Sequence, residues 1–322
     1  MKLGVLTVAL GNMPFAEALA YLRGIGVESI ELGCGGYPGK AHCDAPALLA
    51  DKAAYDAFIK LIKDSGLTVS ALSVHGNPVH PDKAIADGFH KDFENAVLLA
   101  EKMGVDTVIT FSGCPGGCEG DKTPNWTTCP WPEDFLKIQE YQWEQVLIPY
   151  WKKTSAIAIS HGVKKIALEM HPGFCVYNPE TLLKLRAAVG DAIGANFDPS
   201  HLVWQGMDPV AALRALRGAI FHFHAKDTKV DPYNSAANGV LDMKHYSDEA
   251  NRSWVFRTVG YGTDQKLWRA MMSELVLAGY EGAVSVEHED SLMDNKEGLE
   301  KACEFLKTLI IKKGKPAEIW WA

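Results

Sequence analysis

The sequence predicts a single (β/α)8 barrel over residues 1–322, because short β-rich apolar runs alternate with helical patterns along the whole chain and the connections between them are lopsided in length. The strand candidates are "KLGVLTV" near the start, "VESIEL" (27–32), "LTVSALSV" (67–74), "VDTVITF" (105–111), "KKIALEM" (164–170), "IGANFD" (193–198), "AIFHFH" (219–224) and "GAVSVEH" (282–288). Between them lie helical stretches such as "PFAEALAYLRGIG", "FHKDFENAVLLAEKMG" and "DQKLWRAMMSELVLAG", several closing on a glycine just before the next strand. Strict alternation implies a parallel sheet, and eight strands close most naturally into a barrel. An open doubly wound sheet would carry a Gly-rich turn after its first strand, whereas "TVALGNMPF" has no G-x-G-x-x-G. Helix-to-strand connections are a few residues, while three strand-to-helix loops are long, at 33–52, 112–133 and 225–263. In a barrel those loops all lie at the C-terminal rim of the strands, where active sites form.

Composition narrows the function. Hydrophobic and charged fractions of 47% and 22% are those of an ordinary globular protein. A net charge of −8 with no run of Lys or Arg excludes a phosphate-tracking surface, so nucleic acid is not an expected partner. No stretch approaches the roughly 18 apolar residues of a membrane span, and the opening "MKLGVLTVALGNMPF" reads as a strand and a helix start, not a signal peptide. Seven cysteines, an odd number in so long a chain, argue for reduced thiols and a cytoplasmic setting. Cys114, Cys118 and Cys129 share a Gly-rich loop, but C-x3-C plus a lone cysteine lacks the paired spacings of a structural zinc site.

The chemistry sits in four consecutive strand ends. With alternate side chains on opposite faces, "IALEMHPG" turns Ala167 and Glu169 inward, and "ANFDPSH" turns Asn196 and Asp198 inward. "FHFHAKD" sets His222 and His224 on the inner face with Phe221 and Phe223 on the other, and "AVSVEHED" turns Ser285 and Glu287 inward. Glu169, Asp198, His224 and Glu287 thus converge at one height. Three carboxylates in a barrel mouth repel unless positive charge compensates, and Lys226 alone cannot neutralise them. One divalent cation held by Glu169, Asp198, His224 and Glu287 can. Oxygen-rich ligation with one nitrogen and no sulfur suits Mn²⁺ first, with Mg²⁺ or Co²⁺ next, and Zn²⁺ less. His222, one layer deeper, either supports the site by hydrogen bonds or is a satisfied core imidazole.

In "ALEMHPG", "NFDPSH", "HFHAKD" and "VEHED" the chain resembles the xylose isomerase-like TIM-barrel superfamily of sugar isomerases and epimerases, closest in layout to ketose 3-epimerases and inosose dehydratase-type proteins. The resemblance spans nearly the whole chain, to "EGLEKACEFLKTLI". It implies that Glu169, Asp198, His224 and Glu287 bind the metal, that Glu169 and Glu287 are the acid/base groups on opposite faces of a keto sugar, and that His201 contacts a substrate oxygen. Ketose 3-epimerases carry an arginine several residues beyond the histidine ligand; Val230 stands about there, and "HAKD" resembles the dehydratase-like branch.

Further rim residues are candidates for substrate contact: His75 and Asn77 in "SVHGNPVHP", Glu31 at the end of the second strand, Lys226 as an oxyanion partner, and Trp131, with Trp126 and Trp254, as an apolar wall. Asp227 is expected to position Lys226 or a helix end, and Asp264 to cap a helix. The expected reaction removes a proton beside a ketone to give an enediolate, with one glutamate as base and the other returning the proton to invert the centre. The same enediolate can instead expel a β-substituent, making a lyase or dehydratase on a keto-cyclitol or 3-oxo-glycoside. An abasic-site endonuclease needs a basic face, and a non-catalytic barrel needs no acid/base pair. The tail "GKPAEIWWA" offers two tryptophans to a neighbouring copy in a homo-oligomer or to the chain's own barrel floor.

Overall fold

β-branched and aliphatic runs of four to six residues form the barrel strands: β1 (Lys2–Leu6), β2 (Ser29–Gly33), β3 (Thr68–Ser73), β4 (Thr107–Phe111), β5 (Lys165–Glu169), β6 (Ile193–Phe197) and β7 (Ile220–Ala225). The chain then makes a small hairpin, β8 (Asp227–Val230) and β9 (Trp254–Arg257), before the last barrel strand, β10 (Ala283–Val286). In this computed structural model, which describes residues 1–314, Glu318 and Trp321, the barrel closes in the order β1-β10-β7-β6-β5-β4-β3-β2 with every pairing parallel. The eight expected strands are the eight barrel strands.

The long loops carry more structure than their sequence promised. The segment 225–263 contains the antiparallel pair β8–β9 and a helix, Pro232–Asn238, and the segment 33–52 contains a helix, Ala45–Ala50. Asp227 anchors the hairpin: its carboxylate accepts N–H bonds from Gly260 (2.9 Å), Gly262 (3.1 Å) and Thr263 (3.0 Å). A Cβ at Gly262 would meet the Thr228 backbone at 2.6 Å, so only glycine lets the turn wrap that carboxylate so closely. Asp264 caps the helix Gln265–Leu277, accepting the Leu267 N–H at 2.8 Å.

Outward residues of the strands, among them Leu168, Met170, Phe197, Phe223, Val284 and Val286, join the main core between sheet and helices. The lumen holds a small apolar plug, Ala71, Ile109 and Ala167, below a polar layer of Glu31, Ser73, Asn196, His222, His224 and Ser285, all buried. Phe221 departs from the alternation expected of it. Register slips between Ala195 and Asn196, so that Ala195 pairs with Ile220 and Asn196 with His222, and Phe221 is the extra residue of a bulge. It therefore packs on the lumen plug instead of beside Phe223, in space that Gly194 leaves open. A second slip, where Ile30 pairs with Val69 and Glu31 with Ala71, leaves Ser70 of β3 as the extra residue beside the other end of the polar layer. Both irregularities sit where side chains must be re-aimed into the barrel mouth.

Outside the barrel, buried Glu274 accepts from Arg214 Nε (2.9 Å) and Arg217 Nε (3.1 Å), and these hydrogen bonds hold its pKa below the usual carboxylate range. A depressed folded-state pKa contributes stability above the unfolded value, near ~4.3, and that contribution is lost as pH falls through the folded value. Glu274→Gln is expected to lower stability by roughly 0.5–1 kcal/mol at pH 7, with the gap to the parent closing below about pH 4. Urea melts at pH 7 and pH 3.5 check both the size and the sign.

The seven cysteines are free, with Cys114 buried and Cys118 and Cys129 exposed. No helix among the described residues is long and apolar enough to cross a membrane. Of the two terminal tryptophans named for the tail, Trp320 lies outside the described residues.

Candidate active site and metal centre

Each of the four convergent side chains is set by a different strand end. Glu169 closes β5 and is held from several directions, by His75 Nε2 (3.0 Å), His201 Nε2 (3.1 Å) and the Asn196 amide (2.8 Å). Asp198 follows β6 and caps the helix Pro199–Trp204: its Oδ1 accepts the Ser200 N–H at 2.8 Å. The run "DPS" explains this locally, an Asp N-cap before a proline at the first helical position. Capping with Oδ1 leaves Oδ2 facing the cluster. Glu287 follows β10, its N–H bonded to Ala225 O at 3.1 Å.

His224, on β7, is oriented by Glu31. Its Nε2 lies 2.9 Å from both Glu31 oxygens, and Glu31 also accepts hydrogen bonds from the Ser73 and Ser285 hydroxyls, the latter at 2.7 Å. Despite complete burial, the adjacent His224 and His222 hold the Glu31 pKa down at about 2, so it is a carboxylate that takes the Nε2 proton. Nδ1 is thereby aimed at the cluster, 3.2 Å from Glu169 Oε2 and 3.0 Å from Glu287 Oε2.

One donor atom from each of Glu169, Asp198, His224 and Glu287 lies within 4.8 Å of all the others. Asp198 Oδ2, His224 Nδ1 and Glu287 Oε2 are buried and make no well-formed hydrogen bond, their close neighbours being one another and the Lys226 ammonium. Unsatisfied buried donors and acceptors are costly, and three aimed at one point, with a donor set of three carboxylates and an imidazole, fit a divalent cation. A second group, Glu31, His222 and His224, is also close enough to hold an ion, but its atoms are hydrogen-bonded among themselves and to Ser70, Ser73 and Asn196.

Charge around the cluster is unbalanced toward the negative. Lys226 Nζ lies 3.1 Å from Asp198, 2.9 Å from Glu287 and 3.4 Å from Glu289. Burial, reinforced by Glu169 and Glu287 against Lys226, pushes Asp198 up to about 7. Burial disfavours charge on His224, yet Glu31 and Glu287 outweigh it and raise its pKa well above the ordinary value. Both shifts express a demand for positive charge that Lys226 does not meet.

The remaining expected site residues separate. His75 lines the cleft above the cluster, with Lys226, Glu169 and Glu287. His201 is buried at the Glu169–Asp198 junction. Glu31 is entirely buried beneath His224 rather than at the rim. Asn77 is not brought into the cleft: its amide closes a reciprocal pair with the Cys114 backbone, at 2.9 and 3.0 Å. Trp131 is 75% exposed and does not line the cleft. Trp126 donates to Phe174 O and packs on Tyr177, and Trp254 stacks on Trp204 at 4.3 Å, so neither makes the expected wall. His222 supports the site indirectly, bonding Ser70 Oγ (3.2 Å) and Asn196 Oδ1 (3.0 Å), whose amide in turn donates to Glu169.

The cleft, of about 180 Å³, is also lined by residues the strand pattern did not single out: Tyr37, Phe111, His171 and Glu289. His171 and Glu289 each lie two residues beyond a cluster glutamate, and continuing the alternation past the strand end would have found them.

The sequence profile of the xylose isomerase-like TIM barrel matches residues 19–309. The chain belongs to that family. The chain is 41% identical to the uncharacterized protein YfiH of Bacillus subtilis over 313 residues, 96% of this chain and 99% of that one. Among solved structures of the xylose isomerase-like fold, the IolI protein with a bound zinc atom aligns with a TM-score of 0.67 at 21% identity, covering 96% of this chain and 98% of that one. The 3-keto-D-glucoside 4-epimerase YcjR of E. coli aligns with a TM-score of 0.63 at 15% identity, covering 96% and 99%. At these identities the structural likeness establishes the fold.

Proposed function

We propose that the protein is a divalent-metal-dependent isomerase or epimerase that moves a proton beside the carbonyl of a keto sugar. The observation that carries this reading is the convergence of Asp198 Oδ2, His224 Nδ1 and Glu287 Oε2, buried and without a well-formed hydrogen bond, with Glu169 at the base of a cleft. Glu169, Asp198, His224 and Glu287 would hold the cation, which would supply Lewis-acid stabilisation of the charge that develops on the substrate. Mn²⁺ is the ion this donor set suits first, with zinc, seen in IolI, the competing choice.

The chain's own groups provide the proton transfer. Glu287 is the most open of the four, its side chain 17% exposed, and Lys226 and His224 overcome burial to keep it ionised. It is therefore a base facing the cleft. Glu169 is fixed by its three donors from His75, His201 and Asn196, which gives a second carboxyl of set orientation for proton return on the other face. Lys226 lines the same space and offers an N–H donor to the oxyanion that develops as the proton leaves. The free cysteines are in keeping with a cytoplasmic protein.

The test is proton NMR in D₂O with Mn²⁺-loaded protein and a panel of ketoses, inososes and 3-oxo-glycosides. Deuterium at an α-carbon with an inverted product is the expected result. Loss of a β-substituent moves the assignment to a lyase using the same carbanion. No exchange with any substrate at full metal occupancy overturns the reading.

A further inference from the structure

The catalytic cleft does not end at the cluster. A second cavity of about 390 Å³ adjoins it, and His171 and Glu289 line both. The hairpin that fills the long seventh loop builds much of its wall: Tyr246, Glu249, Val255 and Phe256 all line it. Phe256, on the annex side, packs against residues of the cluster. Lys226 Nζ lies 4.7 Å from its ring centre and His201 meets it edge-on at 5.4 Å, while Tyr246 stacks on it at 5.8 Å with 20° between the planes.

The relative sizes carry the argument. The space over the cluster, about 180 Å³, is smaller than an ordinary ligand pocket, whereas the annex alone falls within the usual range of ~300–1,000 Å³. A free monosaccharide would leave the larger, aromatic part of the cleft unfilled. Charge then selects among larger substrates. Glu249, Glu289 and Asp290 line the annex, and the nearby guanidinium, Arg257, is already held between Glu249 (3.1 Å) and Asp290 (3.5 Å). Among the described residues no Lys or Arg lines the annex to meet a phosphate, while His171, whose Nδ1 faces Pro172 O at 2.5 Å, keeps Nε2 as an acceptor for a hydroxyl.

We propose that the annex is a binding subsite for the substituent of a glycoside: the substrate is an uncharged keto sugar bearing a second ring, with the reacting ring over the cluster and the substituent against Tyr246 and Phe256. This names a substrate class for the reaction proposed above and rests on that reading for the reacting half only.

Methyl and phenyl β-D-glucopyranoside, which lack the ketone and cannot react, probe the subsite by calorimetric binding to Mn²⁺-loaded protein. The phenyl compound is expected to bind about three- to tenfold more tightly than the methyl one, the gain of an aromatic contact. Tyr246→Ala is expected to remove that difference and Tyr246→Phe to keep it, which separates loss of the ring from a disturbed loop. Phenyl glucoside 6-phosphate is expected to bind less tightly than its neutral parent. Equal affinity for methyl and phenyl compounds, or tighter binding of the phosphate, overturns the subsite and leaves the proton chemistry untouched. Absence of α-proton exchange on every keto substrate, with the phenyl preference intact, overturns the chemistry and leaves the subsite standing.

Discussion

Glu169→Gln lowers α-proton exchange by about two to four orders of magnitude, the range for a lost general acid or base, and saturating Mn²⁺ does not restore it. The substitution preserves shape and one oxygen donor but removes both the charge and the transferable proton. Weaker metal binding is a separate consequence, because a carboxamide is a poorer ligand than a carboxylate for a hard cation. Titrating Mn²⁺ until occupancy matches the parent, then measuring deuterium incorporation, separates the two effects. Recovery of exchange at full occupancy makes Glu169 a ligand only and moves the proton chemistry to Glu287 alone. The reciprocal substitution, Glu287→Gln, is expected to abolish exchange with a smaller loss of structural order, since Glu287 is the more open residue while Glu169 is held by His75, His201 and Asn196. Thermal melts followed by circular dichroism serve as a fold control for both variants.

The barrel was legible because its information is local and periodic. Alternation of strand and helix, a glycine at several helix ends and inward phases of two residues are all read along the chain, and they place Glu169, Asp198, His224 and Glu287 at one height without reference to any contact. What escaped depends on register and on loops. Phe221 lies inward because one residue is inserted against β6, and a strict period of two cannot announce an insertion. Asn77 carries a side chain suited to a sugar hydroxyl, but a backbone pair across the next loop consumes it, and nothing in "SVHGNPVHP" discloses the partner. Trp126 and Trp254 failed as a wall for the same reason: their partners, Tyr177 and Trp204, are distant in sequence from the loops that hold them. The hairpin β8–β9 was missed because its strands are four residues each and twenty-three residues apart. That omission hid the annex.

Glu31 gives the second large effect, and it turns on which side of the imidazole carries the proton. The sequence placed Glu31 at the rim as a substrate contact; the structure places it under His224, sealed from the cleft. As a carboxylate it can only accept, so it fixes the Nε2–H tautomer and leaves Nδ1 as the lone-pair face toward the cluster. Glu31→Gln introduces an amide N–H that competes for Nε2 and frees the proton to sit on Nδ1, where a cation would bind. Metal affinity is expected to fall about 10–100-fold, the usual cost of removing a group that orients a ligand. Substrate KM at saturating metal is expected to stay near the parent value. Equilibrium dialysis with Mn²⁺ and steady-state kinetics at saturating metal test both halves. If KM rises and metal affinity holds, Glu31 acts on the substrate and the orientation argument fails. The carboxylate lies too deep for that, since Ser73, Ser285 and His224 already take its oxygens, and a hydroxyl of the sugar would have to displace His224 to reach it.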